Sequence, residues 1–233
     1  MRGSKRLLSS LLAFHLITAT GVADGSTDPI ENPVLDPTID LALFLNQTVR
    51  KSLPMAWRAD STNIVDGILE ASHRYEISPL ILVAMINTES RFNPAARGQH
   101  GEIGLMQMKP STALWLMSEG VVQAIPGLPV TPSLETLQIA LQDPRLNVMF
   151  GAAYIAHLRS TFKDRSALYL AAYNMGSVNL KNRLKDGERP QIYADNINRE
   201  LLKLKLGLRK MRQNYRQTTL MAAVHTNKTF VLD

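Results

Sequence analysis

Cysteine is absent from the 233 residues of this chain. No disulfide staples the fold, no thiolate is available to bind zinc, and no lipid can be attached through the cysteine that follows a lipoprotein signal. The five histidines do not cluster at metal-ligand spacing, so no metal and no cofactor is expected. Long hydrophobic runs are scarce too. The one at Leu7–Ala19 has thirteen residues, short of the roughly 20 that a membrane-spanning helix requires. It follows the bases Arg2, Lys5 and Arg6 and precedes the small residues Gly21-Val22-Ala23. This is the pattern of a secretory signal peptide over residues 1–23, cleaved after Ala23; an uncleaved anchor or a buried helix is the alternative. The expected location is the periplasm or the extracellular space, with no stable membrane insertion after cleavage. A large charge excess is also missing. The formal net charge is +6, and removing the three bases and no acids of residues 1–23 leaves +3. That mild balance suits a polyanionic polymer without demanding one, and in an exported chain it does not point to nucleic acid.

Residues 24–40 carry five acids, no bases and three prolines, the composition of an extended linker. Residues 41–58 are apolar enough to lie against a domain, so 24–58 reads as a linker and N-terminal arm, with Trp57 as packing. From Asp60 the apolar spacing turns helical, through Ile64, Val65, Ile68, Leu69 and His73. Ser78-Pro79 then marks a helix start. The residues that follow, Leu80 to Ile86, are all apolar, as in a buried helix, and Pro94 ends it by Asn93. Three of the thirteen glycines fall in 94–104, a loop. A short helix over Ser111–Ser118 and a proline-bearing irregular stretch at 119–132 come next. Asp143-Pro144 caps a long helix to about Phe162. A buried helix over Ser166–Tyr173 and one from about Arg189 to Leu206 complete a mainly α catalytic domain over 59–207. No convincing β-hairpin signal or internal repeat occurs. The basic stretch 208–233 reads as a solvated tail, with wall or membrane binding as the alternative.

Glu89 draws attention on chemical grounds. It stands at the C-terminal end of the apolar Leu80–Ile86 helix, on the face of Leu82, Met85 and Ile86. Apolar surroundings and the negative end of the helix dipole both disfavour a carboxylate there. A carboxylic acid kept protonated near neutrality can act as a general acid. A structural glutamate, paired with Arg91 or capped by backbone, fits the same facts.

The context of Glu89 separates these readings. Glu89-Ser90-Arg91-Phe92-Asn93-Pro94 is followed by Gly101-Glu102-Ile103-Gly104-Leu105-Met106-Gln107-Met108-Lys109-Pro110. Asp143-Pro144 comes next, with Asn147, Gly151 and Tyr154, then Ala172-Tyr173-Asn174-Met175-Gly176 and later Tyr193. Over about residues 60–200 this order and spacing resembles the soluble-lytic-transglycosylase (SLT) family of the lysozyme-like superfamily. The resemblance implies a lysozyme-like, mainly α fold with a groove between helices and little or no β structure. It implies that Glu89 is the catalytic acid and base. It places Ser90, Gln107, Tyr173, Asn174 and Tyr193 at the substrate: Gln107 closing the Gly-Leu-Met-Gln motif, Tyr173 and Asn174 beside the glutamate, Tyr193 approaching from the last helix. Each also has a plainer reading. Tyr173 fits a core position, Gln107 a loop cap, and Asn174 a helix end before Gly176. Three positions depart from the family pattern. Gly98 stands where many relatives have serine, and Lys109 where they often have an apolar residue. The turn Met175-Gly176-Ser177-Val178 is shorter than usual.

The resemblance further implies cleavage of peptidoglycan between N-acetylmuramic acid and N-acetylglucosamine by one carboxylate, leaving a 1,6-anhydro end and consuming no water. Its partner would be the glycan strand, with envelope-assembly partners undefined. Two other functions remain open on sequence. A lysozyme-type hydrolase would need a second acid, for which Glu102 and Asp143 are the nearby candidates. A non-catalytic glycan-binding scaffold would not need a buried acid.

Overall fold

The computed structural model describes residues 37–123 and 125–229; the expected signal peptide and most of the acidic linker lie outside them. Among the described residues the chain forms nine α-helices and one 3-10 segment, Met55–Asp60. No strand forms there, only isolated bridges joining Ile103 to Arg97 and to Met108. The mainly α expectation therefore stands. No described helix is long and apolar enough to cross a membrane.

The framework is built by α2 (Ser61–Tyr75), α3 (Pro79–Ser90) and α6 (Pro144–Thr161). α2 buries Ile64, Val65 and Ile68, as its periodicity called for, together with Gly67 and Ala71. Leu69 is only half-buried and His73 is exposed, because the buried stripe runs through Gly67 and Ala71 instead. Gly67 is small for a reason. A Cβ there would come within 2.8 Å of the Arg145 side chain on α6, so the glycine sets how closely the two helices pack. In α3, Leu80 and the run Leu82–Ile86 are buried, and the helix has no polar stripe to give to solvent. It breaks sharply, because Arg91 and Phe92 take left-handed φ of 52° and 60° ahead of Asn93-Pro94. α6 begins where Asp143-Pro144 predicts, with the Asp143 carboxylate accepting the Leu146 N–H at 2.8 Å. α4 (Pro110–Ser118) and α7 (Ser166–Met175) match their expected positions to within a turn.

Two short helices were not expected. These are α5 (Leu134–Ala140), capped by the Ser133 hydroxyl, and α8 (Ser177–Lys185), entered through Gly176 at φ 85°. Both ends of the domain also differ from the sequence reading. Residues up to 40 were expected to be extended, yet α1 runs over Pro37–Ser52. It buries Phe44, Leu45 and Val49 in the main core, and Leu53 just beyond it follows. The last helix, expected to end at Leu206, is α9 (Ile192–Thr229). The two deviations have one cause: α1 and α9 pack on each other. Gly207, which looks like a helix stop, is where the Phe44 ring approaches, since an added Cβ would lie 3.2 Å from it. Leu208 is buried, and Arg212 pairs with the nearly buried Asp40 at 3.3 Å. Burial against α1 overrides the propensity of one glycine, about 1 kcal/mol.

Candidate active site

α3 delivers Glu89 in its last turn to a cavity of about 370 Å³, closed on other sides by the 97–109 loop, α6 and α7. The loop is held in shape by one buried side chain. Asn147 of α6, with no exposed surface, accepts the Met106 N–H at 2.7 Å and donates to the carbonyls of Ile103 (2.7 Å) and Leu141 (2.9 Å). The Met106 N–H and the Leu141 carbonyl, which would otherwise be orphaned in the interior, are thereby satisfied, and the Ile103 carbonyl gains a second donor beside the Met108 N–H. Gly104, at φ 75°, leaves room for this amide: a Cβ would sit 2.5 Å from Asn147 Nδ2. Gly151, a turn further along α6, makes room in the same way, since a Cβ there would lie 2.7–2.9 Å from three Met106 atoms.

The loop then presents Gln107 in a left-handed conformation, φ 48°, with its amide donating to the Gly104 carbonyl at 2.9 Å. Gln107 is thus a loop cap and a cavity residue together. Tyr173 of α7 also combines its two readings. Its half-buried ring lines the cavity, tilted against Tyr154 at 5.3 Å, while its hydroxyl donates to the Met106 carbonyl at 2.8 Å. Asn174 lines the cavity at the exposed end of α7, which does terminate at Gly176.

Tyr193, the second residue of α9, donates its hydroxyl to Glu89 Oε1 across 104 positions of sequence. Burial pushes the Glu89 carboxyl up from 4.5 to about 7; the Tyr193 hydrogen bond lowers it and the negative charge of Glu102 raises it. Burial also raises the phenols of Tyr173 and Tyr193 well above their usual value, so they remain neutral donors. The site therefore holds a carboxyl that exchanges its proton near neutrality, within reach of substrate-sized space.

Ser90 is the exception among the expected site residues. Its hydroxyl lies 3.1 Å from the Ile86 carbonyl and 2.9 Å from that of Leu105, tying α3 to the loop, and it does not line the cavity. Physically this follows from helix geometry: adjacent residues point about 100° apart, so Glu89 and Ser90 cannot share a direction. Sequence reasoning did not assign Tyr154, Thr112 or Met108 to the cavity, which they line. Tyr154 had a signal, since it closes the Asn147, Gly151, Tyr154 spacing on α6, and Met108 stands next to Gln107 in the loop motif; Thr112 had none. Glu102 and Lys109 line it as well, joined by an ion pair of 3.1 Å. Asp143 is committed to capping α6. No group of three His, Asp or Glu placed to hold a metal occurs among the described residues.

Residues 66–196 match the family model for the transglycosylase SLT domain. The chain is 32% identical over 152 residues to membrane-bound lytic murein transglycosylase E of Buchnera aphidicola, covering 62% of this chain and 62% of that protein. It is 28% identical over 155 residues to membrane-bound lytic murein transglycosylase C of Edwardsiella ictaluri, covering 64% of this chain and 40% of that protein. The matched region thus spans less than two thirds of the length of these relatives. Among solved structures, the 70 kDa soluble lytic transglycosylase of Escherichia coli aligns with a TM-score of 0.47 and 22% identity. That alignment covers 76% of this chain and 29% of that one.

Proposed function

The chain belongs to the transglycosylase SLT domain family, and from that premise we propose that it is a lytic transglycosylase acting on peptidoglycan, with Glu89 as its single acid and base. The observation that carries the proposal is the Glu89 carboxyl itself: set in a cavity, raised to about 7 by burial, and met by the Tyr193 hydroxyl. In its protonated form Glu89 gives its proton to the oxygen linking C1 of N-acetylmuramic acid to C4 of N-acetylglucosamine, and the C1–O bond breaks. The 2-acetamido group of the muramic acid stabilises the positive charge left at C1. Glu89, now a carboxylate, takes the proton of that sugar's 6-hydroxyl as its oxygen bonds to C1. The carboxyl is regenerated, the product ends in a 1,6-anhydro ring, and no water is consumed. Gln107, Tyr173 and Asn174 line the wall on which the sugars would rest.

The same reading places the protein outside the cytoplasm, after cleavage near Ala23, with glycan strands as its partner. A second reading has one observation in its favour: Glu102 lies in the same cavity as Glu89, and two carboxylates can support hydrolysis. Mass spectrometry of the fragments released from purified sacculi decides between them. The expected result is 1,6-anhydro ends with the wild type and no release with Glu89→Gln, which retains shape and hydrogen bonding but has no proton to transfer. Reducing ends would establish the hydrolase, and near-full activity of Glu89→Gln would dismiss both.

A further inference from the structure

Glu102 occupies a position built to hold a charge. Its two oxygens have separate partners: Oε1 pairs with Lys109 Nζ at 3.1 Å, and Oε2 accepts the His100 N–H at 2.9 Å. Its backbone is fixed as well, because the Glu102 carbonyl accepts the Gly98 N–H at 2.9 Å. Gly98 makes the room. A Cβ at that position would lie 2.2 Å from Glu102 Oε2 and 2.8 Å from Glu102 Cβ. Any side chain at residue 98 would therefore push the carboxylate off its seat. Gly98 and Lys109, two of the departures from the family pattern, thus belong to one local arrangement centred on Glu102.

That arrangement faces the cavity of Glu89. From α9 Tyr193 donates to the acid, while Tyr173 of α7 and Tyr154 of α6 line its cavity; burial raises all three phenols, so they are uncharged. Besides Glu89 itself, the charge-bearing groups that line the cavity are Glu102 and Lys109. Desolvation raises the Glu102 carboxyl, but hydrogen bonds from its own backbone and from that of His100, with the Lys109 ammonium, outweigh it and hold Glu102 below its ordinary range, so it is an anion whenever Glu89 exchanges its proton.

We propose that Glu102 is a positioning residue for the acid: a fixed negative charge in the cavity wall that biases Glu89 toward its protonated form, with a strength set by its ion pair to Lys109. An anion in the same cavity disfavours a second anion at Glu89 and favours the positive charge that develops on a glycan as a glycosidic bond breaks. Lys109 is the attenuator, because its cation cancels some of the field of Glu102. The inference rests on Glu89 being the acid of the proposed reaction, but its test does not require that reaction to occur.

The test is a carbon-13 carboxyl NMR titration of Glu89, assigned by the loss of its signal in Glu89→Gln. It is run at low salt on the wild type and on Glu102→Gln, Gly98→Ala and Lys109→Met. The Glu89 midpoint should fall in Glu102→Gln, which removes the anion, and in Gly98→Ala, which displaces it. It should rise in Lys109→Met, which leaves the anion unopposed. All three displacements should shrink at high salt, since partly exposed charges are screened within about 10 Å at 0.1 M. A purely structural role for the ion pair would not move the midpoint in opposite directions. Midpoints that coincide with the wild type, or that move the same way in Glu102→Gln and Lys109→Met, overturn the inference. Failure of the lytic reading shows separately, as reducing rather than anhydro product ends.

Discussion

Glu89→Gln is expected to stabilise this fold at alkaline pH while abolishing its chemistry. A carboxyl raised from 4.5 to about 7 by burial binds its proton more tightly in the folded chain than in the unfolded one. Below about pH 4.5 both states are protonated and the residue is neutral with respect to folding. Between 4.5 and about 7 the unfolded chain releases the proton first, so stability falls as pH rises, and above 7 the deficit is constant. At about 1.4 kcal/mol per pH unit, the full deficit is roughly 3 kcal/mol. For a domain of this size each kcal/mol corresponds to roughly 2–4 °C in melting temperature. The amide of glutamine does not ionise, and its oxygen can still accept the Tyr193 hydroxyl. The measurement is chemical or thermal unfolding of wild type and Glu89→Gln at pH 4.5 and pH 8.5. Every other titrating group is common to both proteins and cancels in the comparison. The variant should gain on the wild type by about 3 kcal/mol across that range. A wild-type-minus-variant difference that does not change with pH would refute the assignment of a buried, proton-holding carboxyl at residue 89.

Tyr193→Phe removes the hydrogen bond that stabilises the Glu89 carboxylate. The alkaline limb of the pH–rate profile should therefore move to higher pH, and an unmoved limb would count against the contact. Asn147→Ala orphans the Met106 N–H and the Leu141 carbonyl in the interior, while the Ile103 carbonyl keeps the Met108 N–H. At about 1–3 kcal/mol for each unsatisfied group, a loss of about 2 kcal/mol or more is expected in denaturant unfolding, with less than 1 kcal/mol showing that the loop holds itself. Ser90→Ala should cost about 1–2 kcal/mol of stability and leave KM near the wild-type value, because the hydroxyl serves two carbonyls; a large rise in KM with unchanged stability would return Ser90 to the substrate.

Much of this was legible before any coordinates, for local physical reasons. Helix periodicity, a proline at the first helical position and an aspartate cap act over three or four residues, so the sequence located α2, α3 and α6. The motif order around Glu89 pointed to Gln107, Tyr173, Asn174 and Tyr193, and all four lie at the cavity or on Glu89 itself. What stayed hidden depends on contacts between distant segments. Composition marked residues 24–40 as a linker, and the last helix was expected to end at Leu206, but α1 already begins at Pro37 and its Phe44 packs against α9 at Gly207. The family resemblance implied a place for Ser90 at the substrate, whereas the turn of the helix points its hydroxyl at the Leu105 carbonyl. By itself the sequence determined that a glutamate would end an apolar helix. Only the tertiary structure decided its proton affinity, because burial, the Tyr193 hydroxyl and the Glu102 charge reach it from segments that local periodicity cannot align.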